Sequence, residues 1–233
     1  MTLCSRILTA GLLLSGFLHA DTLDVVSATW QNLVGGAGTS INVANGTFND
    51  VRWGTDNPNS GLGFDGIAPP PQVLPALGNP FLLGTLRHYK NLIAAGTAAS
   101  SVDLSLTTDL TIGGNSISAG PFNFRFLIDE TPNSAPCAYP SVTPCADKIS
   151  FQNLVTSDTF LIGGTVYTIN VLGFADSMGG PIVSDFISQE GGTNTTFLYA
   201  SISAPVPEPA SIAFLLTIGV AVVVPLSRRR SRA

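Results

Sequence analysis

Alternation of apolar and polar residues dominates the middle of the chain. In SVDLSLTTDLTI, which begins at Ser101, the even positions from 102 to 112 are apolar apart from Thr108, and the odd positions are polar. In PFNFRFLID, which begins at Pro121, the even positions from 122 to 128 are phenylalanine or isoleucine. A period of two residues is typical of a β-strand with one buried face. The turn residues between the two segments, Gly113-Gly114-Asn115-Ser116, predict two neighbouring strands that share a core face.

The same pattern recurs on both sides of this pair. Asn45-Gly46 separates two short alternating runs, and Gly163-Gly164 separates two apolar runs, so each dipeptide predicts a β-hairpin. TTFLYASIS, near Thr195, predicts a last strand, whereas the prolines of residues 68–80 exclude a central strand and predict an exposed loop. No segment of residues 21–204 has an apolar period of 3.6 over three turns. The predicted fold is therefore all-β, an antiparallel β-sandwich that resembles a jelly roll.

The two ends of the chain have a different character. Residues 1–20 contain one arginine, a short apolar core and a small residue at position 20, and they predict a signal peptide. Residues 210–226 carry no charge and would span about 25 Å as a helix, so they predict a single transmembrane helix. The chain thus divides into a signal peptide (1–20), an ectodomain (21–204) and a C-terminal segment (205–233). Four arginines follow the apolar run and favour the cytoplasmic side: Arg228, Arg229, Arg230 and Arg232.

A short motif precedes the predicted helix. It consists of Val206, Pro207, Glu208 and Pro209, and the apolar run and the arginine cluster follow it. This order of three parts resembles the PEP-CTERM sorting signal. The resemblance implies a membrane-embedded exosortase as partner, in Gram-negative bacteria that secrete polysaccharide. It also implies export through the inner membrane, transient anchoring, and delivery to the cell surface or the extracellular matrix.

Charge and cysteine content narrow the class of protein. Residues 21–204 contain five basic and fourteen acidic residues, five minus fourteen giving a net charge of −9. An acidic body without a basic stripe excludes nucleic-acid binding, which needs lysine and arginine to neutralise phosphates. Of the three cysteines, Cys4 lies in the signal peptide, and the remaining two, Cys137 and Cys145, predict a disulfide in an oxidising compartment.

Residues that could carry chemistry are scarce. His88 is the one histidine of residues 21–204, and its neighbours Arg87 and Lys90 favour its neutral form. It is interpreted either as a polar binding position or as a surface histidine at a strand end. The adjacent acids Asp129 and Glu130 would point to opposite faces of a strand and are interpreted as solvated charges. No catalytic residue, metal ligand or cofactor site is predicted.

Two alternatives remain open. The oxygen-rich stretch of residues 54–66 could bind calcium, although Pro58 breaks the EF-hand pattern and a plain turn explains the composition. A secreted glycan hydrolase would need two carboxylates that face each other across a cleft. Sequence alone does not place any such pair.

The ectodomain carries a second resemblance. WQNLVGG at Trp30, VRWG at Trp53, LGTLRHYKNLI at His88, and DETPN at Asp129 look like the THxN family of PEP-CTERM proteins and the related choice-of-anchor K domain. The Thr-His-x-Asn motif after which the first family is named is altered here. Arg87 replaces its threonine and Lys90 replaces its asparagine, while His88 and Asn91 remain. These families imply no established activity.

The expected function is that of an exported structural or adhesive protein, not an enzyme, which associates with secreted polysaccharide. The candidate binding positions are His88, Asn91, Trp30 and Trp53. Both tryptophans could stack on sugar rings, or they could belong to the core.

Overall fold

The computed structural model describes residues 20–42, 48–141, 144–152 and 157–205. The strands are β1 (Thr22–Gly35), β2 (Ser40–Asn42), β3 (Phe48–Trp53), β4 (Ser60–Gly66), β5 (Gln72–Val73), β6 (Phe81–Lys90), β7 (Ala99–Ile112), β8 (Asn115–Asp129), β9 (Asp147–Phe151), β10 (Ser157–Ile162), β11 (Thr165–Ala175), β12 (Asp185–Ser188) and β13 (Gly192–Ser203). Within the described residues there is no helix, and so none that is long and apolar enough to cross a membrane. The predicted signal peptide, apart from Ala20, lies outside the described residues, as do the predicted helix 210–226, the motif 206–209 and the arginine cluster.

The strands form two curled antiparallel sheets. One sheet has six strands in the order β12-β9-β8-β7-β1-β5, and the other has seven in the order β10-β11-β13-β6-β4-β3-β2. Their strand pairs are antiparallel, and many join segments that lie far apart in the sequence, as β1 with β7 and β6 with β13. The prediction of an all-β antiparallel fold is confirmed for the described part of the chain.

The predicted central pair is β7 and β8. Leu104 lies opposite Phe124, and Leu106 lies opposite Phe122, so the two apolar faces predicted from the alternation lie on the same side of the sheet. The apolar faces of both strands are buried. Gly113 and Gly114 form the turn with positive φ angles of 56° and 77°, which glycine adopts without steric cost.

The two sheets bury their apolar faces against each other in one core. Aromatic contacts cross the interface, because Phe126 of β8 lies 6.2 Å from Phe174 of β11, and Phe122 of β8 lies 6.1 Å from Phe160 of β10. Trp30 and Trp53 belong to this core, with exposed fractions of 3% and 0%. They are core residues in this structure and are not available to stack on sugars.

The other predicted elements have mixed outcomes. Gly163 and Gly164 form the turn between β10 and β11, and β13 is the predicted last strand. The proline-rich loop of residues 68–80 contains one short strand, β5, which pairs at the edge of the six-stranded sheet. The dipeptide at 45–46 lies outside the described residues, although β2 and β3 on either side of it pair antiparallel.

Several strand ends meet at one end of the fold. Lys90, the last residue of β6, lies opposite Gly192, the first residue of β13. In the other sheet Asp129, the last residue of β8, lies opposite Lys148, the second residue of β9. Acidic residues lie close to these positions: Glu130 follows Asp129, Asp147 precedes Lys148, and Glu190 lies two residues before Gly192. With Lys90 they form the charged cluster described below.

Candidate functional site

Strand β6 carries polar side chains into the interior. Its inward-facing positions end with Leu86, His88 and Lys90, all of them buried. The strand is central in its sheet, between β13 and β4, so these side chains cannot turn aside to solvent at an edge. An imidazole and an ammonium group therefore continue the row of core side chains toward the end of the fold.

The ammonium group of Lys90 is surrounded by carboxylates. Its Nζ lies 2.5 Å from Glu190 Oε2, 3.0 Å from Asp147 Oδ2 and 3.3 Å from Glu130 Oε1. The side chains of Lys90 and Asp147 are 0% exposed, and those of Glu190 and Glu130 are 5% and 9% exposed. We call these four residues the ion cluster. It joins the two sheets, because Lys90 ends β6 of one sheet, while Glu130 directly follows β8 and Asp147 begins β9 of the other.

Thr131 also holds the Asp147 carboxylate, through Oδ1, whereas Lys90 contacts Oδ2. The backbone N–H of Thr131 donates to Asp147 Oδ1 at 2.8 Å, and the Thr131 hydroxyl lies 3.3 Å from the same oxygen. The hydroxyl also lies 2.9 Å from the carbonyl of Ala146. Burial and the charge of Glu130 raise the pKa of Asp147 to about 7, although the Thr131 N–H and Lys90 favour its ionised form.

Lys90 stays charged despite its burial. Burial by itself would lower its pKa, but the hydrogen bond to Glu190 and the charges of Asp147 and Glu130 outweigh that effect, so the pKa is raised above its ordinary value. A buried cation of this kind is tolerated only when it is paired and hydrogen-bonded.

His88 lies beside the ion cluster without a hydrogen-bond partner. Its side chain is fully buried, and neither ring nitrogen makes a hydrogen bond with the described residues. Its ring lies 6.2 Å from that of Trp53. Burial and then the positive charge of Lys90 lower the pKa of His88 to about 3, so the imidazole is neutral. One donor atom each of His88, Glu130 and Asp147 lie within 4.8 Å of one another.

Two grooves flank the loop that follows β6. One, of about 500 Å³, is lined by Asn57, Asn91, Leu92 and Glu190 among others. The other, of about 470 Å³, is lined by Leu92, Ile93, Glu130 and Asn133 among others. Leu92 lines both grooves and is 59% exposed. Both grooves have the size of small-ligand sites, and each receives one carboxylate of the ion cluster.

The disulfide braces this end of the fold. Cys137 and Cys145 are bonded, which confirms the predicted bridge. They lie in the connection from β8 to β9, which begins at Glu130 and ends just before Asp147. The bridge therefore restricts the conformation of the connection that links two of the cluster's acids, Glu130 and Asp147.

The structure places the four residues predicted as binding positions in different environments. His88 is buried, so its interpretation as a surface histidine is wrong. Asn91 lines a groove, and its side-chain N–H donates to the carbonyl of Asn59 at 2.8 Å, which holds the neighbouring turn. Trp30 and Trp53 lie in the core.

Two interpretations of acidic residues are also corrected or refined. Asp129 and Glu130 diverge as predicted, because Asp129 accepts a hydrogen bond from the Tyr139 hydroxyl while Glu130 joins the ion cluster. The interpretation of Glu130 as a solvated charge is therefore wrong. In the stretch considered for calcium, Asp56 Oδ2 accepts the Ala94 N–H at 2.5 Å and Asp65 pairs with Arg87 at 3.3 Å.

Sequence reasoning missed the inward position of Lys90 and the roles of Asp147 and Glu190. One signal was present for the lysine. In TLRHYK the alternation that places Leu86 in the core also places His88 and Lys90 there, so a strand assignment would have predicted a buried cation in need of acidic partners. No comparable signal marks Asp147 or Glu190.

The sequence was also compared with known proteins. No protein-family model and no curated protein matches the chain.

Proposed function

We propose that this chain is an exported structural or adhesive protein, sorted by an exosortase to the cell surface or extracellular matrix, where its ectodomain binds secreted polysaccharide. We infer further that the two sheets form a β-sandwich of jelly-roll type and that residues 210–226 form the transient membrane helix. The sorting part of the proposal rests on the order of Pro207-Glu208-Pro209, apolar run and arginine cluster. The binding part rests on the structure.

The observation that carries the binding role is the pair of grooves that share Leu92 in their lining. Each combines exposed apolar surface with asparagine side chains, Asn57 and Asn91 in one and Asn133 in the other. Amide groups donate and accept hydrogen bonds, as recognition of sugar hydroxyls requires, and apolar surface covers the carbon-bearing faces of a sugar ring.

Charge selects the class of polysaccharide. The ectodomain has a net charge of −9, and Glu190 and Glu130 line one groove each. Acidic polysaccharide would be repelled by this field, so the proposal is for a neutral or amine-bearing glycan.

Hydrolysis is less well supported. Each of the two grooves contains one carboxylate, and both of these acids contact Lys90. The two-carboxylate mechanism needs two acids that flank one glycosidic bond in the same cleft. Here the two acids line different grooves and both contact the same ammonium group.

Binding is tested with the exported protein recovered from its host. Leu92→Asp places a charge in the lining of both grooves, and Leu161→Asp is the matched control, because Leu161 is 57% exposed on β10 and lines neither groove. Titration calorimetry against the host's own polysaccharide should show binding that is weakened about tenfold or more by Leu92→Asp and unchanged by Leu161→Asp. Equal binding by both variants, or none by the wild type, would exclude the grooves as a glycan site.

Sorting is tested separately by the mass of the recovered protein. A product that lacks the C-terminal helix only in the presence of the exosortase is expected. A full-length product in both strains would contradict the sorting proposal without affecting the binding test.

A further inference from the structure

The ion cluster is short of positive charge. Three carboxylates, those of Glu130, Asp147 and Glu190, surround one ammonium group, so the cluster has a formal charge of −2 when all four groups are ionised. Among the described residues Lys90 is the one cation paired with these acids. Buried charge in excess of its partners is costly, and a buried carboxylate either takes up a proton or pairs with a further cation, which can be a metal ion.

The cluster divides into two halves. Lys90 approaches Glu190 most closely, at 2.5 Å. The second half consists of Glu130 and Asp147, which lie 3.3 and 3.0 Å from Lys90 Nζ and have one donor atom each within 4.8 Å of each other and of a ring nitrogen of His88. Glu190 does not belong to that second group.

The second half has lone pairs with no hydrogen-bond donor. Glu130 Oε2 and both ring nitrogens of His88 are buried and make no hydrogen bond with the described residues. Asp147 Oδ2 is the oxygen that Thr131 leaves free, because the Thr131 N–H donates to Oδ1, and it lies 3.0 Å from Lys90 Nζ. An imidazole in a polar site ordinarily finds a donor or an acceptor, so a fully buried ring with two unpaired nitrogens needs a physical explanation.

We propose that His88, Glu130 and Asp147 bind one divalent first-row transition metal ion, of the class of Zn²⁺ or Mn²⁺, while Lys90 remains paired with Glu190. The charges then balance, since three carboxylates match one ammonium group and one divalent ion. One imidazole and two carboxylates form a donor set for such ions, and the imidazole disfavours Ca²⁺ and Mg²⁺, which prefer oxygen ligands alone.

The surroundings fit a metal site in two further respects. Thr131 orients the Asp147 carboxylate by two contacts, and hydrogen bonds of this kind to ligands commonly support metal centres. Glu130 also lines the groove next to Ile93 and Asn133, which offers a path of entry for the ion. The proposal does not depend on the binding or sorting roles proposed above.

The experiment uses the exported protein from its host, freed of metal with a chelator. Thermal unfolding and titration calorimetry with Zn²⁺, Mn²⁺ and Ca²⁺ should give one transition metal ion per chain, a raised melting temperature, and an affinity for Zn²⁺ about tenfold or more above that for Ca²⁺. Glu130→Gln should weaken Zn²⁺ binding about tenfold or more, and the control Asp129→Asn, which changes the neighbouring acid outside the cluster, should not. Circular dichroism of both variants without metal verifies that they are folded.

A spectroscopic measurement on the wild-type protein tests the metal site without relying on the folding of any variant. Pulsed electron paramagnetic resonance of the Mn²⁺-loaded protein should show coupling to an imidazole nitrogen. In a product that lacks residues 1–20, and with them His19, His88 is the one histidine, so the coupling identifies it as the ligand. A melting temperature that no cation changes, binding by Glu130→Gln equal to that of the wild type, or Mn²⁺ without nitrogen coupling would each overturn the proposal. Preference for Ca²⁺ over Zn²⁺ would overturn the assigned class of metal.

Discussion

Replacing Lys90 with methionine isolates the charge that holds the ion cluster together. Methionine keeps most of the unbranched apolar stem, which is buried with the rest of the side chain. It removes the ammonium group that contacts Glu130, Asp147 and Glu190 at 3.3, 3.0 and 2.5 Å. The perturbation is therefore chiefly electrostatic.

The expected cost follows from burial. Removing one partner of a buried ion pair destabilises proteins by about 3–5 kcal/mol, because the remaining charge has lost its compensation. For a domain of about 184 residues, that loss corresponds to a fall in melting temperature of about 6–20 °C. Glu190 makes the closest contact to Lys90, so Glu190→Gln in the Lys90→Met background should recover part of the loss by removing one uncompensated carboxylate.

Urea unfolding at neutral pH in the presence of a chelator measures these free energies. Arg87→Met is the control, because Arg87 and Asp65 are 30% and 39% exposed and surface ion pairs contribute about 0–1 kcal/mol. Two results would refute the reasoning: a cost for Lys90→Met no larger than that for Arg87→Met, and a double variant no more stable than Lys90→Met alone.

Two further predictions concern pH and the disulfide. The pKa of His88 is lowered to about 3, so below pH 6.5 the unfolded chain binds a proton that the folded protein does not, and acid destabilises the fold. The pKa of Asp147 is raised to about 7, so above pH 3.8 the folded protein holds a proton that the unfolded chain releases, and rising pH destabilises the fold. In metal-free protein these two opposite dependences of the unfolding free energy on pH largely cancel between about pH 4 and 6.5. His88→Gln removes one of them, so the unfolding free energy of the variant should fall by up to about 1.4 kcal/mol per pH unit, as measured by urea titration at several pH values. Equal pH profiles for variant and wild type would contradict this. Replacing Cys137 and Cys145 together with serine should cost about 2–3 kcal/mol, because the bridge closes a short loop of the unfolded chain, and an unchanged urea midpoint would show that the loop is already restricted without it.

Much of the fold was predictable because its signals are local. The alternation in residues 101–112 and 121–129 correctly predicted β7 and β8, their neighbouring positions and their shared core face. Gly113-Gly114 and Gly163-Gly164 marked their turns because glycine adopts positive φ angles readily. Cys137 and Cys145 were paired correctly because they are the two cysteines of residues 21–204.

The candidate site was less predictable because charged residues are usually solvated. Glu130 was interpreted as a solvated turn acid on that general expectation, and a surface position was one of the two interpretations of His88. Nothing local distinguishes a buried glutamate from an exposed one when its burial depends on a lysine 40 residues away. Trp30 and Trp53 show the converse, since their aromatic rings suit either a core or a sugar-binding face and only the packing of the sheets decides between them.

By itself the sequence determined the two-residue period of the strands, the positions of several turns, the disulfide and the acidic character of residues 21–204. Each of these depends on neighbouring residues, on composition or on a count. The tertiary structure alone decided that Lys90, Glu130, Asp147 and Glu190 meet around one ammonium group, with His88 beside them. Their meeting requires the pairing of β6 with β13 and of β8 with β9, together with the packing of the two sheets. Those long-range pairings are set by the burial of the whole apolar surface, which no single stretch of the chain encodes.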